Sequence, residues 1–187
     1  MRLRDVEMGD GPAYVRMRCD PEIMAHLGGP FSRDRAEAQV ARDVDLVASG
    51  NALIKMIVVD SPKPKPKPET GPEPETEPES QPEPESETVA GTVTLWRHEV
   101  NGSAGAEIGW LVLPAYQGRG LARRAVSTLL GEARRDGRWG VVHAFPGVDN
   151  TASNRLCRTL GFTLVGVRDT PFRDQVFRTN HWTIDLH

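Results

Sequence analysis

The stretch from Pro114 to Ala133 constrains the fold more than any other part of the 187-residue sequence. It reads PAYQGRGLARRAVSTLLGEA, with two glycines before a run of apolar residues at helical spacing. Such spacing predicts the buried face of an amphipathic helix. The apolar residues are Ala122, Val126, Leu129, Leu130 and Ala133. The sequence therefore predicts a strand, a glycine-bearing turn and a helix, in that order.

The same turn has the features of an anion-binding site. Gly118 and Gly120 carry no side chain, so several backbone N–H groups can point at one anion over the first helical turn. The positive end of the helix dipole faces the same place. Arg119, Arg123 and Arg124 add full positive charges. Taken alone, these residues fit both a pyrophosphate cradle and an ordinary surface turn.

Two flanking segments favour the cradle. EIGWLVLP precedes the turn, and DNTASNRLCRTLGF follows it after about thirty residues. With the turn they resemble the GNAT superfamily of acetyl-CoA-dependent N-acetyltransferases, most strongly over residues 105–165. The matching residues are Gln117, Gly120 and Ala122 in the family's turn pattern, and Asn150, Gly161 and Phe162 in its second signature. Through N-T-A-S-N-R and an R-L-R start, the chain resembles most the ribosomal-protein N-acetyltransferase (RimJ/RimL-like) branch.

The resemblance implies an α/β (α+β) chain with the GNAT fold. This is a mixed, mostly antiparallel central sheet of six to seven strands, splayed at the cofactor site and flanked by about four helices. It implies one domain over residues 1–187, acetyl-CoA as the acetyl donor and no metal. The expected activity is N-acetyl transfer to a primary amine, directly within one ternary complex.

Residues 61–88 interrupt this domain with a tract of different composition. They hold nine prolines, three lysines and eight glutamates, and almost no apolar residue. Such a segment cannot bury enough surface to offset its ordering entropy, so we predict a disordered, polyproline-like insertion in a hairpin. A loop without function and a docking or spacing arm both remain open.

Charge and composition narrow the partners. Outside the insertion there are 20 basic and 18 acidic residues, and this near-neutral balance argues against nucleic acid as a partner. No 18-residue apolar run and no signal-like start occur, which predicts a cytoplasmic protein without a membrane partner. Cys19 and Cys157 have no metal-ligand spacing and are expected to stay reduced. A homodimer is left open.

Hydrophobic periodicity predicts the remaining elements. Asp10 and Ser32 are predicted helix caps, and the second and third strands are expected to pair antiparallel. In the helix after Asn150, the predicted packed stripe is Ala152, Leu156 and Leu160. The predicted strands are at about 3–6, 53–59, 89–95, 104–113, 139–145, 162–167 and 177–186, and the predicted helices are at about 10–18, 21–28, 32–50 and 151–160.

Glu107 is the candidate general base. It lies in the strand before the turn, on the face that it shares with Gly109, Leu111 and Leu113. Such a carboxylate either points to solvent or faces a cleft where desolvation raises its pKa toward neutral. The strand period leaves both open. The resemblance favours the cleft, because related enzymes often carry a glutamate here that acts as a base, directly or through water.

The resemblance also assigns the cofactor contacts. Backbone groups of Trp110, Leu111 and Val112 are expected to bond the pantetheine arm, as an added strand would. Asn150 and Asn154 are expected to bond the cofactor or a bridging water, although helix capping alone would explain Asn150. The pyrophosphate contacts are expected from Gln117, Gly118, Arg119, Gly120, Leu121, Ala122 and Arg123.

The helix after Asn150 departs from the common family pattern. A tyrosine usually protonates the departing thiolate there, but this sequence has Cys157, whose side chain is far shorter. The ribosomal-protein branch uses a serine at the place of Ser153. We therefore expect Ser153 to stabilise the thiolate and Cys157 to pack in the core.

The acceptor amine is not named by the sequence. A protein N-terminus and a small-molecule amine both fit. His26, within residues 26–31, and His143 are secondary candidates for substrate contact, as is the predicted loop 168–178. Two other functions remain open: a catalytically silent acetyl-CoA-binding regulatory module, and an interaction protein that acts through the Pro/Glu-rich arm.

Overall fold

The computed structural model describes residues 1–25, 27–60, 87–100, 102–172 and 175–187. His26 and residues 61–86 of the predicted insertion lie outside these ranges. In chain order the strands are β1 Arg2–Asp5, β2 Ala52–Val59, β3 Thr88–Val100, β4 Ser103–Val112, β5 Val141–Ala144, β6 Thr163–Phe172 and β7 Gln175–Asp185. The α-helices are α1 Gly11–Arg18, α2 Pro21–Met24, α3 Arg33–Ala48, α4 Leu121–Asp136 and α5 Thr151–Thr159.

The strands form one seven-stranded sheet in the order β1-β2-β3-β4-β5-β7-β6. Neighbouring strands pair antiparallel, except that β4 and β5 are parallel. The expected mixed, mostly antiparallel sheet is therefore confirmed, as is the antiparallel pairing of β2 with β3. The described residues hold five α-helices against the four that were expected.

The sheet splits between β4 and β5. Their pairing spans just Ala106↔Val142 and Glu107↔His143. Beyond Glu107, β4 continues to Val112 with β3 as its partner, whereas β5 ends at Ala144. Pro146 follows two residues later, and a proline cannot donate to a ladder. The two strands therefore diverge, and among the described residues no strand pairs with the β5-facing edge of β4 over residues 108–112.

Two apolar layers cover the two faces of the sheet. On one face α4 packs over β3 and β4 and α5 packs against β6, with Leu129, Cys157 and Ile108 in the same cluster. On the other face α1 and α3 pack with Tyr14, Val40 and Leu111 among the buried residues. Since Glu107 is in phase with Leu111 along β4, its side chain belongs to the face that α1 and α3 cover.

The two predicted helix caps, Ser32 and Asp10, have different outcomes. Ser32 caps α3 as expected, accepting from the N–H of Arg35 at 3.3 Å. Asp10 precedes α1 but makes no side-chain bond to it. Its carboxylate accepts from Arg4 at 2.7 and 2.8 Å and from the N–H of Glu7 at 2.9 Å. A bidentate guanidinium offers stronger bonds than a helix amide, so Asp10 occupies the N-cap position as predicted but its side chain does not cap the helix.

Two predicted surfaces are also corrected. The buried residues of α5 are Asn154 and Cys157, while Ala152 is exposed; Leu156 and Leu160 pack only partly against the core. In α4 the buried face includes Leu121 and Ala125.

The predicted loop at residues 168–178 is mostly strand. β6 extends to Phe172 and β7 begins at Gln175. Pairing between the two strands continues to that end, so the segment forms a hairpin.

Candidate functional site

The split in the sheet leaves a cleft of about 280 Å³. Its walls come from β3, β4, the chain after β5, the start of α5, the α1–α2 region, and parts of β6 and β7. The lining residues used below are Arg18, Ile23, Leu27, Trp96, Glu107, Trp110, Leu111, Asn150, Ser153 and Phe177. The cleft therefore brings together predicted site residues that are more than forty positions apart in the sequence.

Glu107 lies in this cleft, with 23% of its side chain exposed. Burial raises the pKa of its carboxyl to about 7, and the nearby positive charge of Arg168 acts in the opposite direction. Of the two readings left open by the strand period, the structure places the carboxylate in the cleft. A carboxyl group with a pKa near 7 can both accept and release a proton at neutral pH.

His98 is a neighbour of Glu107 that sequence reasoning missed. Its Nε2 lies 3.5 Å from the Oε2 of Glu107. In the register of β3 and β4, Trp96 is opposite Glu107 and His98 is opposite Gly105, so His98 and Glu107 are diagonal neighbours on one face. The predicted strand ends near Leu95. Continued alternation through residues 96 and 98 was the available signal.

His143 lies opposite Glu107 on β5. Its Nδ1 is 2.8 Å from the Nε2 of His181, and the ring of Phe145 stacks near both, with ring centroids 6.2 and 4.8 Å away. Burial lowers the pKa of both histidines, and the charges of neighbouring groups, with Arg168 common to both, add to this. The predicted substrate contact of His143 remains a prediction, since the histidine pair is not part of the cleft lining.

The glycine turn has an open concave backbone. Gly118 and Gly120 have φ values of +71° and +69°, and a Cβ at either position would meet nothing within 4 Å. The first amide of α4 with a helical bond belongs to Arg124, which donates to the Gly120 carbonyl at 3.2 Å. The amides of residues 121–123 precede it and have no intrahelical acceptor. The turn thus fits an anion such as a pyrophosphate.

The side chains around the glycine turn anchor it to β4 and surround it with positive charge. The Nε2 of Gln117 donates to the carbonyl of Val112 at 3.0 Å, which ties the turn to the end of β4. The guanidinium of Arg119 lies over the ring of Tyr116 at 5.3 Å. Arg123 and Arg124 are exposed on the first turn of α4. Three positive charges therefore surround the open amides.

Asn150 and Asn154 have different surroundings. The Oδ1 of Asn150 accepts from the N–H of Ser153 at 3.0 Å, which confirms it as the cap of α5. Asn154 donates to the carbonyls of Gly147 and Asn150 at 2.8 Å and accepts from Asn180 and Trp182 at 2.7 and 2.9 Å. The predicted cofactor contact of Asn154 would have to replace one of these four bonds.

Ser153 and Cys157 lie in different surroundings: Ser153 lines the cleft, whereas Cys157 is in the core. Cys157 is fully buried, and burial raises the pKa of its thiol to about 12, so the neutral thiol dominates. This agrees with the packing role expected for it. Ser153 lines the cleft next to Asn150.

Arg18 is a second cleft residue that the sequence analysis did not predict. It ends α1 and contributes to the lining together with Leu27. Leu27 belongs to the 26–31 stretch that was expected near the acceptor. An arginine at the end of an amphipathic helix is usually solvent-exposed, and only tertiary packing puts this one inside.

No helix within the described ranges is long and apolar enough to cross a membrane. In the same ranges, no three His, Cys, Asp or Glu side chains are grouped as metal ligands would be.

Comparisons with known proteins show a family match and partial sequence similarity to characterised enzymes. A family model described as "Acetyltransferase (GNAT) domain" matches residues 1–163. The chain is 45% identical over 60 residues to the N-alpha-acetyltransferase RimI of Mycobacterium tuberculosis, which is 32% of this chain and 35% of that protein. It is 42% identical over 72 residues to the L-methionine sulfoximine/L-methionine sulfone acetyltransferase of Salmonella typhimurium, covering 35% of this chain and 42% of that protein. Both matches therefore span less than half of the curated relative.

A solved structure extends the similarity to the whole fold. The ribosomal L7/L12 alpha-N-protein acetyltransferase RimL, in complex with coenzyme A, superposes with a TM-score of 0.69 at 17% identity. The match covers 98% of this chain and 92% of RimL.

Proposed function

Because the chain belongs to the GNAT acetyltransferase family, we propose that it transfers an acetyl group from acetyl-CoA directly to a primary amine. The acceptor is a small-molecule amine or a protein N-terminus, and donor and acceptor are bound together in one ternary complex. The observation that carries this proposal is Glu107, a cleft carboxylate with a pKa of about 7 at the point where β4 and β5 separate.

The donor would be held by backbone groups. The amides from Gly118 to Arg123 would bind the diphosphate of coenzyme A, with charge from Arg119 and Arg123. The unpaired edge of β4 at Trp110, Leu111 and Val112 would bond the pantetheine arm, although the Val112 carbonyl already accepts from Gln117. Acetyl-CoA supplies an activated thioester. The presence of coenzyme A in the RimL structure supports the use of this fold for such a ligand.

Glu107 would act as the general base. A protonated amine is not a nucleophile, so its proton must leave before or during attack. The ionised carboxylate of Glu107 would accept this proton, directly or through one water. His98, 3.5 Å away and 42% exposed, would connect the carboxylate with solvent.

Ser153 would stabilise the leaving thiolate from the start of α5. Asn150 positions it by accepting from the Ser153 N–H. A covalent acetyl-cysteine intermediate on Cys157 is disfavoured, because its thiol is fully buried and its pKa is raised to about 12.

The proposal is tested by calorimetry with coenzyme A and by an acetylation assay over an amine panel. The variant pair Arg119→Glu/Arg123→Glu should weaken coenzyme A binding by about 10-fold or more, because it reverses two charges near the turn. The matched control is Arg134→Glu/Arg135→Glu, which reverses two exposed charges at the other end of α4. Equal affinities of the two variants, or no acetylation of any amine by the wild type, would contradict the proposal.

A further inference from the structure

Arg18 places a cationic group in the wall of the cleft. Its Nε is shielded from solvent and has no hydrogen-bond partner in the part of the chain that the structure describes. The backbone of Arg18 is fixed, since its carbonyl accepts from the N–H of Phe31 at 2.8 Å. The ring of Phe31 lies 5.8 Å from the guanidinium. The arginine is therefore held in position while part of its donor capacity is unused.

The charge of Arg18 is not directly neutralised by the described residues. Burial lowers the pKa of Arg18, whereas the negative charge of Asp43 favours the ionised guanidinium. The carboxylate of Asp43 accepts from the hydroxyl of Tyr14 at 2.6 Å and from the amide of Gln39 at 2.7 Å, and its effect on Arg18 is coulombic, without a side-chain hydrogen bond. A guanidinium stays protonated in proteins, and a buried charge without a close partner is costly. An anionic ligand group in the cleft would offset this cost.

The rest of the cleft combines one acidic side chain, Glu107, with an apolar lining. Glu107 lies on the sheet face that α1 covers, so the carboxylate and the guanidinium open into the same space. Ile23, Leu27 and Trp96 contribute apolar wall between the polar groups. A cleft of about 280 Å³ is near the lower end of ligand pockets, which are about 300–1,000 Å³, and this favours a small acceptor.

We propose that Arg18 binds a carboxylate of the acceptor, so that the substrates are amines that also carry a carboxylate, as free apolar α-amino acids do. The inference rests on the proposed function and names the substrate class of the same site. An acidic side chain near a peptide N-terminus presents the same chemistry, and the experiment separates these two sources.

The test compares kcat/KM for L-leucine and L-leucinamide, which differ in the carboxylate. Three variants are used: Arg18→Met, which keeps length but removes charge; Arg18→Lys, which keeps charge but not the planar fork; and Arg16→Met as the control. Arg16 is exposed on the same helix, outside the cleft lining. Thermal melting checks that each variant is folded.

The wild type should prefer L-leucine by about 10- to 100-fold, the size expected for a hydrogen bond between two charged groups. Arg18→Met should abolish this preference by lowering kcat/KM for L-leucine while leaving L-leucinamide nearly unchanged. Arg18→Lys should restore part of it, and Arg16→Met should behave as the wild type. In addition, titration of the coenzyme A-saturated protein with L-leucine should give heat that Arg18→Met loses.

Two results would overturn the inference. Equal use of L-leucine and L-leucinamide by the wild type would do so while leaving the proposed acetyl transfer intact. A parallel loss of both substrates in Arg18→Met would show that the side chain has a structural role only. Absence of acetylation with every amine would instead remove the proposed function itself.

A second arm identifies the source of the carboxylate. Peptide amides that begin Ala-Asp or Ala-Asn are compared in the same assay. An advantage of free L-leucine over both peptides supports the amino acid. An Arg18-dependent advantage of Ala-Asp over Ala-Asn and over L-leucine supports the carboxylate contact but assigns it to a peptide.

Discussion

Asn154 and Glu107 are both polar and largely buried, but the protein satisfies them differently. Four side-chain hydrogen bonds, to Gly147, Asn150, Asn180 and Trp182, fill the capacity of Asn154. Glu107 has a contact of 3.5 Å with His98, and burial raises the pKa of its carboxyl. The first residue is therefore suited to hold the loop before α5, and the second to exchange protons.

Replacement of Asn154 by alanine should destabilise the protein by about 3 kcal/mol or more, because several buried donors and acceptors lose their partner at once. The Nε1 of Trp182 is among them. Urea denaturation measures the change in the free energy of unfolding. Asn51→Ala, at an exposed position, is the control and should have little effect. A similarly small change in the free energy of unfolding for both variants would contradict the role of Asn154 in holding the loop before α5.

Glu107→Gln should change the pH dependence of stability. The folded protein holds the Glu107 proton up to a pH of about 7, whereas an ordinary carboxyl releases it near 4.5. The contribution of this bound proton to the free energy of unfolding is fully present below pH 4.5 and is lost as the pH rises through 7. The glutamine variant lacks this loss. Between pH 5 and pH 8.5, its free energy of unfolding should therefore rise by about 1–3 kcal/mol relative to that of the wild type.

Denaturation of both proteins at these two pH values provides the measurement. His98, His143 and His181 are present in both proteins, so they do not contribute to the difference between the two curves. Glu99→Gln, an exposed site on β3, serves as the control and should show no such gain. Parallel pH curves for Glu107→Gln and the wild type would mean that the pKa of Glu107 is not raised.

At the scale of the element, the local signals of the sequence predicted most of the fold. Gly118 and Gly120 mark the turn before α4, Asn150 caps α5, and strand periodicity placed β2, β3 and β4. These features depend on residues close together in the chain. The split between β4 and β5 does not, because it follows from where a parallel pairing of distant strands stops.

The same distinction explains the missed site residues. His98 reaches Glu107 because β3 continues to Val100 along β4. The alternation through residues 96 and 98 is compatible with this length, but the pairing with β4 fixes it. Arg18 is half-buried, with its Nε shielded from solvent, because Phe31 and the α2 region pack near the end of α1. Asn154 is not part of the predicted packed stripe of α5. Its burial follows from hydrogen-bond partners on the distant strand β7.

Two glycines of the α4 region should respond to alanine in opposite directions. Gly131 lies inside α4, where a Cβ would meet nothing within 4 Å, so Gly131→Ala should stabilise the protein by about 0.5–1 kcal/mol. Gly120 has a left-handed backbone with φ of +69°, so Gly120→Ala should cost about 1–2 kcal/mol. Thermal and urea denaturation test both variants. Changes of the same sign would contradict the described backbone of the turn.

At the scale of the whole molecule, the pairing of β2 with β3 does not depend on residues 61–86. Val59 and Thr88 are cross-strand partners at the ends of β2 and β3, so a short turn can connect them. Glu87, just outside β3, pairs with Arg2 and Arg4 of β1.

Replacing residues 61–86 by a four-residue turn should therefore leave the melting temperature and the rate of acetyl transfer nearly unchanged. Circular dichroism and the acetylation assay measure these properties. If the shortened protein failed to fold or lost activity, the insertion would be part of the domain.

The central claim is that Glu107 accepts the proton of the acceptor amine, and the pH dependence of kcat/KM tests it most directly. The ratio of the wild-type value to that of Glu107→Gln cancels the ionisation of the amine itself. We predict that this ratio rises about tenfold per pH unit below a pH of about 7 and is constant above it, reaching about 10²–10⁴. A ratio near one at every pH would contradict the account.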